Sequence, residues 1–82
     1  MNQDVKARVF KVIEKSLRIP KENIQLDQVI KDICPQSLDL VSLIFDFEDE
    51  FNVSISNEEI QELKTVRDIV VNVEAMLVKN HA

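Results

Sequence analysis

The residues best placed to do chemistry are Gln36-Ser37-Leu38-Asp39-Leu40, which follow Cys34-Pro35. Proline suits a turn and disfavours helix in the residue before it, while the run after it is apolar at helical spacing, so Ser37 should open a helix. Unpaired backbone N–H groups and the positive end of the helix dipole converge there. Two readings are open at this point. Serine is a preferred helix cap, with Asp39 complementing the dipole from the first turn. The same groups would also stabilise a phosphate ester on the Ser37 hydroxyl.

Catalysis by the chain itself has less support. The one histidine, His81, stands next to the last residue, where fraying is expected, so Ser37 lacks an aligned base. The single cysteine, Cys34, cannot form an internal disulfide, and one Cys with one His cannot make a zinc site. Cys34 reads as a small apolar filler. Asp46, Glu48 and Glu50 alternate as in a calcium loop, but Phe51 and Asn57 occupy the sixth and twelfth positions, where such a loop needs Gly and Glu. No metal and no enzymatic activity are expected.

Charge separates sharply along the 82 residues, whose formal net charge is −5. From Asp32 to Leu63 there are nine acids and no Lys or Arg, whereas residues 1–31 carry seven bases against four acids. Such a segment repels nucleic acid and anionic membranes and attracts basic protein surfaces. With 45% hydrophobic and 30% charged residues, and no apolar run of bilayer length, one folded cytoplasmic domain over 1–82 is expected.

Helices must position Ser37. Val5, Val9, Val12, Ile13 and Leu17 make one apolar stripe, predicting a helix over 3–16 that stops before Pro20. A long connection follows, its Ile24, Leu26, Val29, Ile30 and Ile33 spaced irregularly, as in a loop packed over a core. The second helix, 37–52, sorts into three arcs. Leu40, Leu43, Ile44, Phe47 and Phe51 are core; Asp39, Ser42, Asp46, Asp49 and Glu50 are a polar stripe. Leu38, Val41 and Phe45 lie between them, on the flank that carries Glu48. Ser56 with Glu59, and Thr65 with Asp68, are capping-box signals for helices over 57–62 and 65–79. The last helix buries Val66, Ile69, Val70, Val73 and Leu77. With no glycine, turns fall to Pro, Asn, Asp or Ser. The expected architecture is all-α: an antiparallel bundle of three main helices and one short one, with a long first loop.

Along nearly its whole length the chain resembles the acyl carrier protein family. The resemblance runs from Gln36-Ser37-Leu38-Asp39 through Glu48-Asp49-Glu50-Phe51 and Val53-Ser54-Ile55-Ser56-Asn57-Glu58-Glu59 to Leu63-Lys64-Thr65-Val66-Arg67-Asp68-Ile69. It implies that Ser37 is the residue to which a phosphopantetheinyl transferase attaches 4′-phosphopantetheine from coenzyme A. The arm would carry an acyl thioester, sheltered between the helices, to fatty-acid, lipid or specialised-metabolite enzymes. Amino acids or polyketide intermediates are alternative cargoes, and an unmodified acidic adaptor is the alternative from another class. The resemblance also implies docking through the helix that starts at Ser37. Leu38, Asp39, Val41, Ser42, Phe45, Asp46, Glu48 and Asp49 would meet basic partner enzymes, with the chain as a monomer. Cys34-Pro35-Gln36 stands where the family usually has Gly-x-Asp, and Ser42 where an acid is common. These departures imply a specialised carrier with restricted partners.

Overall fold

The computed structural model describes residues 2–34 and 37–80, without the side chains of Ser37, Lys79 and Asn80. Five helices follow in order: α1 (Gln3–Leu17), α2 (Ile30–Ile33), α3 (Ser37–Phe51), α4 (Asn57–Glu62) and α5 (Val66–Asn80). Among the described residues there is no strand, only an isolated bridge between Val29 and Thr65. No helix there is long and apolar enough to cross a membrane.

Local signals set the helix ends. Asn2 caps α1, its Oδ1 accepting from the N–H groups of Asp4 at 2.9 Å and Val5 at 3.3 Å. Ser56 Oγ accepts from Glu59 N–H at 3.2 Å, the first bond of a capping box, while the Glu59 carboxylate accepts from the Ser56 hydroxyl at 3.0 Å where a full box would use the Ser56 backbone N–H. At α5, Thr65 Oγ1 accepts from Asp68 N–H at 3.3 Å. The Asp68 carboxylate reaches back to the N–H groups of Lys64 at 2.9 Å and Thr65 at 3.0 Å. α3 ends in a Schellman-type turn, with Asn52 left-handed at φ 54° and Val53 N–H donating to Glu48 O at 3.2 Å. The turn that closes α1 departs from expectation, because Arg18 takes the left-handed conformation at φ 57°. Neither Pro, Asn, Asp nor Ser makes that turn; with no glycine available, the chain strains an arginine instead.

The stripes meet in one core, where Val9, Ile13, Leu43, Phe47, Val66, Ile69, Val70 and Val73 are fully buried. No charged side chain is buried among the described residues. Leu17, Leu40 and Leu77, expected inside, are half-buried at its margin. Phe10 was not part of the expected stripe, yet it is buried. Its position borders the stripe, and a ring is long enough to swing inward from there.

α1 runs antiparallel to α3 and α5. Near its start, Arg8 Nε pairs with Glu50 Oε2 at 3.0 Å and Nη2 donates to Glu50 O at 2.9 Å, while the guanidinium lies 4.5 Å from the Phe51 ring centre. Asn2 N–H donates to the Glu74 carboxylate in the second half of α5.

The long connection is more structured than its spacing suggested, with a 3₁₀ turn at Lys21–Asn23 and the single turn α2. A one-turn helix has no room for periodicity. Burial of Ile30, with Ile33 partly buried one turn later, holds it in place. The connection is also stitched to the entry of α5. Ile30 N–H donates to Lys64 O at 2.9 Å, Val66 N–H to Gln28 O at 3.1 Å, and Arg67 N–H to Leu26 O at 2.8 Å. The last two bonds satisfy N–H groups that the first turn of α5 cannot pair internally.

Candidate functional site

Ser37 is the first residue of α3. Pro35, Gln36, the Ser37 side chain and His81 lie outside the described residues. On one side of this position, α2 delivers the chain through Cys34, whose N–H donates to Ile30 O at 2.8 Å. The Cys34 thiol is buried, and burial, with the nearby Asp39 carboxylate, pushes its pKa up. A protonated, enclosed thiol is a poor nucleophile, which agrees with the filler reading.

On the other side, α3 emerges into solvent at once. Leu38 is 80% exposed, Val41 49% and Phe45 63%. Apolar side chains left this open form a stripe along the helix, and Asp39, Ser42, Asp46 and Asp49 are exposed beside them. The third arc of α3 is thus outside the core, with the Phe45 ring at the surface. Glu48 differs from the other acids. It is half-buried, and its Oε2 accepts from Ile55 N–H at 2.8 Å, which fixes the connection between α3 and α4.

Two grooves open under α4, sharing Leu40 and Ile60 as a common wall. The smaller, about 320 Å³, is lined further by Val41, Ile44, Phe45 and Ile55, with Glu48. The larger, about 650 Å³, runs toward the long connection past Val29, Ile30 and Leu63, with Lys31 and Lys64 also lining it. Their origin lies in the sequence of α4, Asn57-Glu58-Glu59-Ile60-Gln61-Glu62, which has one apolar residue and none that is buried. A helix with so little to bury covers its neighbours without sealing against them. Sequence reasoning missed Ile60, Leu63 and the two lysines as lining residues, although a solitary Ile in a short acidic helix was a readable signal. A further cleft of about 680 Å³ lies between the first turns of α1 and the end of α5, lined in part by Asp4, Arg8 and Glu74. No residue of α3 lines it.

Comparison with known proteins bears on this arrangement. Residues 7–71 match the model of a family described as a phosphopantetheine attachment site. The acyl carrier protein of Trieres chinensis is 32% identical over 76 residues, covering 92% of this chain and 95% of that one. That of Thermotoga maritima is 32% identical over 76 residues, covering 92% and 94%. That of Buchnera aphidicola is 34% identical over 68 residues, covering 82% and 87%. The chain belongs to the acyl carrier protein family. The prosthetic group of this family is 4′-phosphopantetheine, and its members act as carriers, generally without catalysing reactions themselves. An exposed α3 start is compatible with such a group: Leu38 and Asp39, the two residues after Ser37, are both open to solvent.

Proposed function

We propose that the chain is a single carrier domain whose Ser37 hydroxyl bears the 4′-phosphopantetheine arm, put there by a phosphopantetheinyl transferase from coenzyme A. When attached, the arm supplies the thiol on which cargo is held as a thioester. Everything else is done by the chain's own residues. The first turn of α3 offers N–H groups and a positive dipole end to the phosphate. Leu40, Ile44, Ile55 and Ile60 line grooves that an acyl chain could occupy.

The observation that carries this reading is the exposed apolar stripe of Leu38, Val41 and Phe45, which begins one residue after Ser37 and runs beside Asp39, Ser42, Asp46 and Asp49. Acids draw a basic enzyme in and set its orientation, and large apolar side chains then hold it. Glu48 contributes charge from the edge of this face while its carboxylate stays bonded to Ile55 N–H. Partners are therefore enzymes of fatty-acid, lipid or specialised-metabolite synthesis with basic docking surfaces, and the carrier works as a cytoplasmic monomer. Neutral Gln36 and Ser42 reduce the charge next to the attachment point, which favours a restricted partner set.

The test is intact-mass measurement after incubation with coenzyme A and several phosphopantetheinyl transferases. One phosphopantetheine adduct is expected, mapping to Ser37 and missing in Ser37→Ala, which should stay folded because a lost cap costs only about 1 kcal/mol. A folded chain that no transferase modifies, with biological activity intact in Ser37→Ala, would establish the adaptor reading.

A further inference from the structure

We propose that the larger groove accepts the free carboxylate end of a dicarboxylic acyl group carried on the chain's own arm, with Lys31 and Lys64 as its cation pair. The inference rests on Ser37 being the attachment point.

The lining of this groove is anomalous for so acidic a chain. It contains two lysines and no carboxylate, although the chain has 15 acids against 10 bases. Lys31 and Lys64 stand just outside the two ends of the base-free segment Asp32 to Leu63. The fold brings them together, because Ile30 N–H bonds to Lys64 O at 2.9 Å and Val29 faces Thr65 across the antiparallel bridge. Both side chains are exposed, and neither takes part in the ion pair found among the described residues, Arg8 with Glu50. The adjacent Asp68 carboxylate acts on Lys64 through its charge, but its Oδ2 accepts from the backbone N–H groups of Lys64 and Thr65 and it forms no ion pair with either ammonium among the described residues. Two like charges beside an apolar wall repel each other, and an anion between them relieves that repulsion. Val29, Ile30, Leu40, Ile60 and Leu63 supply a wall for a methylene chain, and the volume of about 650 Å³ is in the range of small-molecule sites.

The neighbouring groove supplies the contrast. It carries Glu48 and no base, so a terminal carboxylate entering there would meet a like charge. A plain acyl chain can use either groove; a carboxylate-ended one is directed to the lysine side.

The experiment loads the apo protein with octanoyl- or suberoyl-phosphopantetheine, using a promiscuous transferase and the matching coenzyme A thioesters, with each load verified by mass. Cleavage of the thioester by hydroxylamine is then timed at low salt for the parent chain and for Lys31→Gln/Lys64→Gln, whose fold is checked by circular dichroism. Removing the lysines should speed cleavage of the suberoyl form about two- to fivefold, the range of an exposed ion pair. The octanoyl form should be unchanged, and 1 M NaCl should abolish the difference, since charges are then screened within about 3 Å. An equal effect on both cargoes, or none on either, overturns the inference while leaving the carrier reading intact. If no arm can be placed on Ser37, the carrier reading fails first and this inference falls with it.

Discussion

The two sides of α3 are built differently. Toward α1 and α5 it presents Leu43, Phe47 and Phe51, all buried, against helices that each bury at least four residues. Toward α4 it presents one buried residue, Ile44, with Leu40 half-buried and Val41 exposed, against a helix that buries none. The first side is tied further at its edge by two hydrogen bonds from Arg8 to Glu50; the second encloses two grooves. A small domain has only a modest stability margin, and here it is concentrated on one side, which leaves the other free to part around a ligand.

That contrast can be broken most forcefully at paired positions. Phe47→Ala removes a fully buried ring from the sealed side and should cost about 3–5 kcal/mol, enough to leave little folded protein. Ile60→Ala, in the common wall of the grooves, should cost only about 1 kcal/mol, because the site is half-exposed and already bordered by empty volume. Urea unfolding of both variants checks this. Similar costs at the two positions would mean that α4 is as integral to the core as α1.

The seam between the two sides is the entry of α5, and Asp68 holds it. Two backbone N–H bonds, to Lys64 and then Thr65, keep its carboxyl pKa below the usual 3.8. A carboxylate whose folded pKa is depressed adds stability above its unfolded value, and that addition is lost as pH falls through the folded value. Asp68→Asn should therefore cost about 1 kcal/mol near neutrality, the worth of a capping interaction. Below pH 3.8 the parent should lose stability faster than the variant, until the two curves meet once Asp68 is protonated in both states. Parallel curves would show that the seam depends on packing and not on this charge.

How far these features were legible in advance follows the same division. Long amphipathic helices announce themselves, and α1, α3 and α5 lie within a residue or two of the spans read from periodicity, as does the capped α4. The exposure of Leu38, Val41 and Phe45 was also readable, because three arcs on one helix cannot all face the core. Periodicity is silent where structure is made by long-range backbone bonds. The pairing of Ile30 with Lys64 and of Gln28 with Val66 joins residues more than 30 positions apart, flanks the bridge, and brings Lys31 and Lys64 to one groove. Phe10 was missed, and the bond from Ile55 N–H to Glu48 was not foreseen, for a related reason. Each sits at the edge of an arc, where the neighbouring element decides whether the side chain turns in or out.

The smallest expected effect lies at Arg18, where α1 ends and the chain leaves the sealed side. At φ 57° and ψ 40° its Cβ crowds the backbone, which costs a non-glycine residue about 1–2 kcal/mol. Glycine removes that strain but is harder to order, by about 0.5–1 kcal/mol. Arg18→Gly should therefore stabilise the fold by roughly 0.5 kcal/mol, a rise of about 2–4 °C in Tm. Arg18→Ala keeps the Cβ and should give no such gain. Asn52, at φ 54° in the turn after α3, should gain less from glycine, because asparagine tolerates this conformation better. If the sealed side sets global stability, Arg18→Gly should raise Tm while hydrogen exchange in α4 keeps its original rate. Slower exchange in α4 would show that the two sides open as one unit.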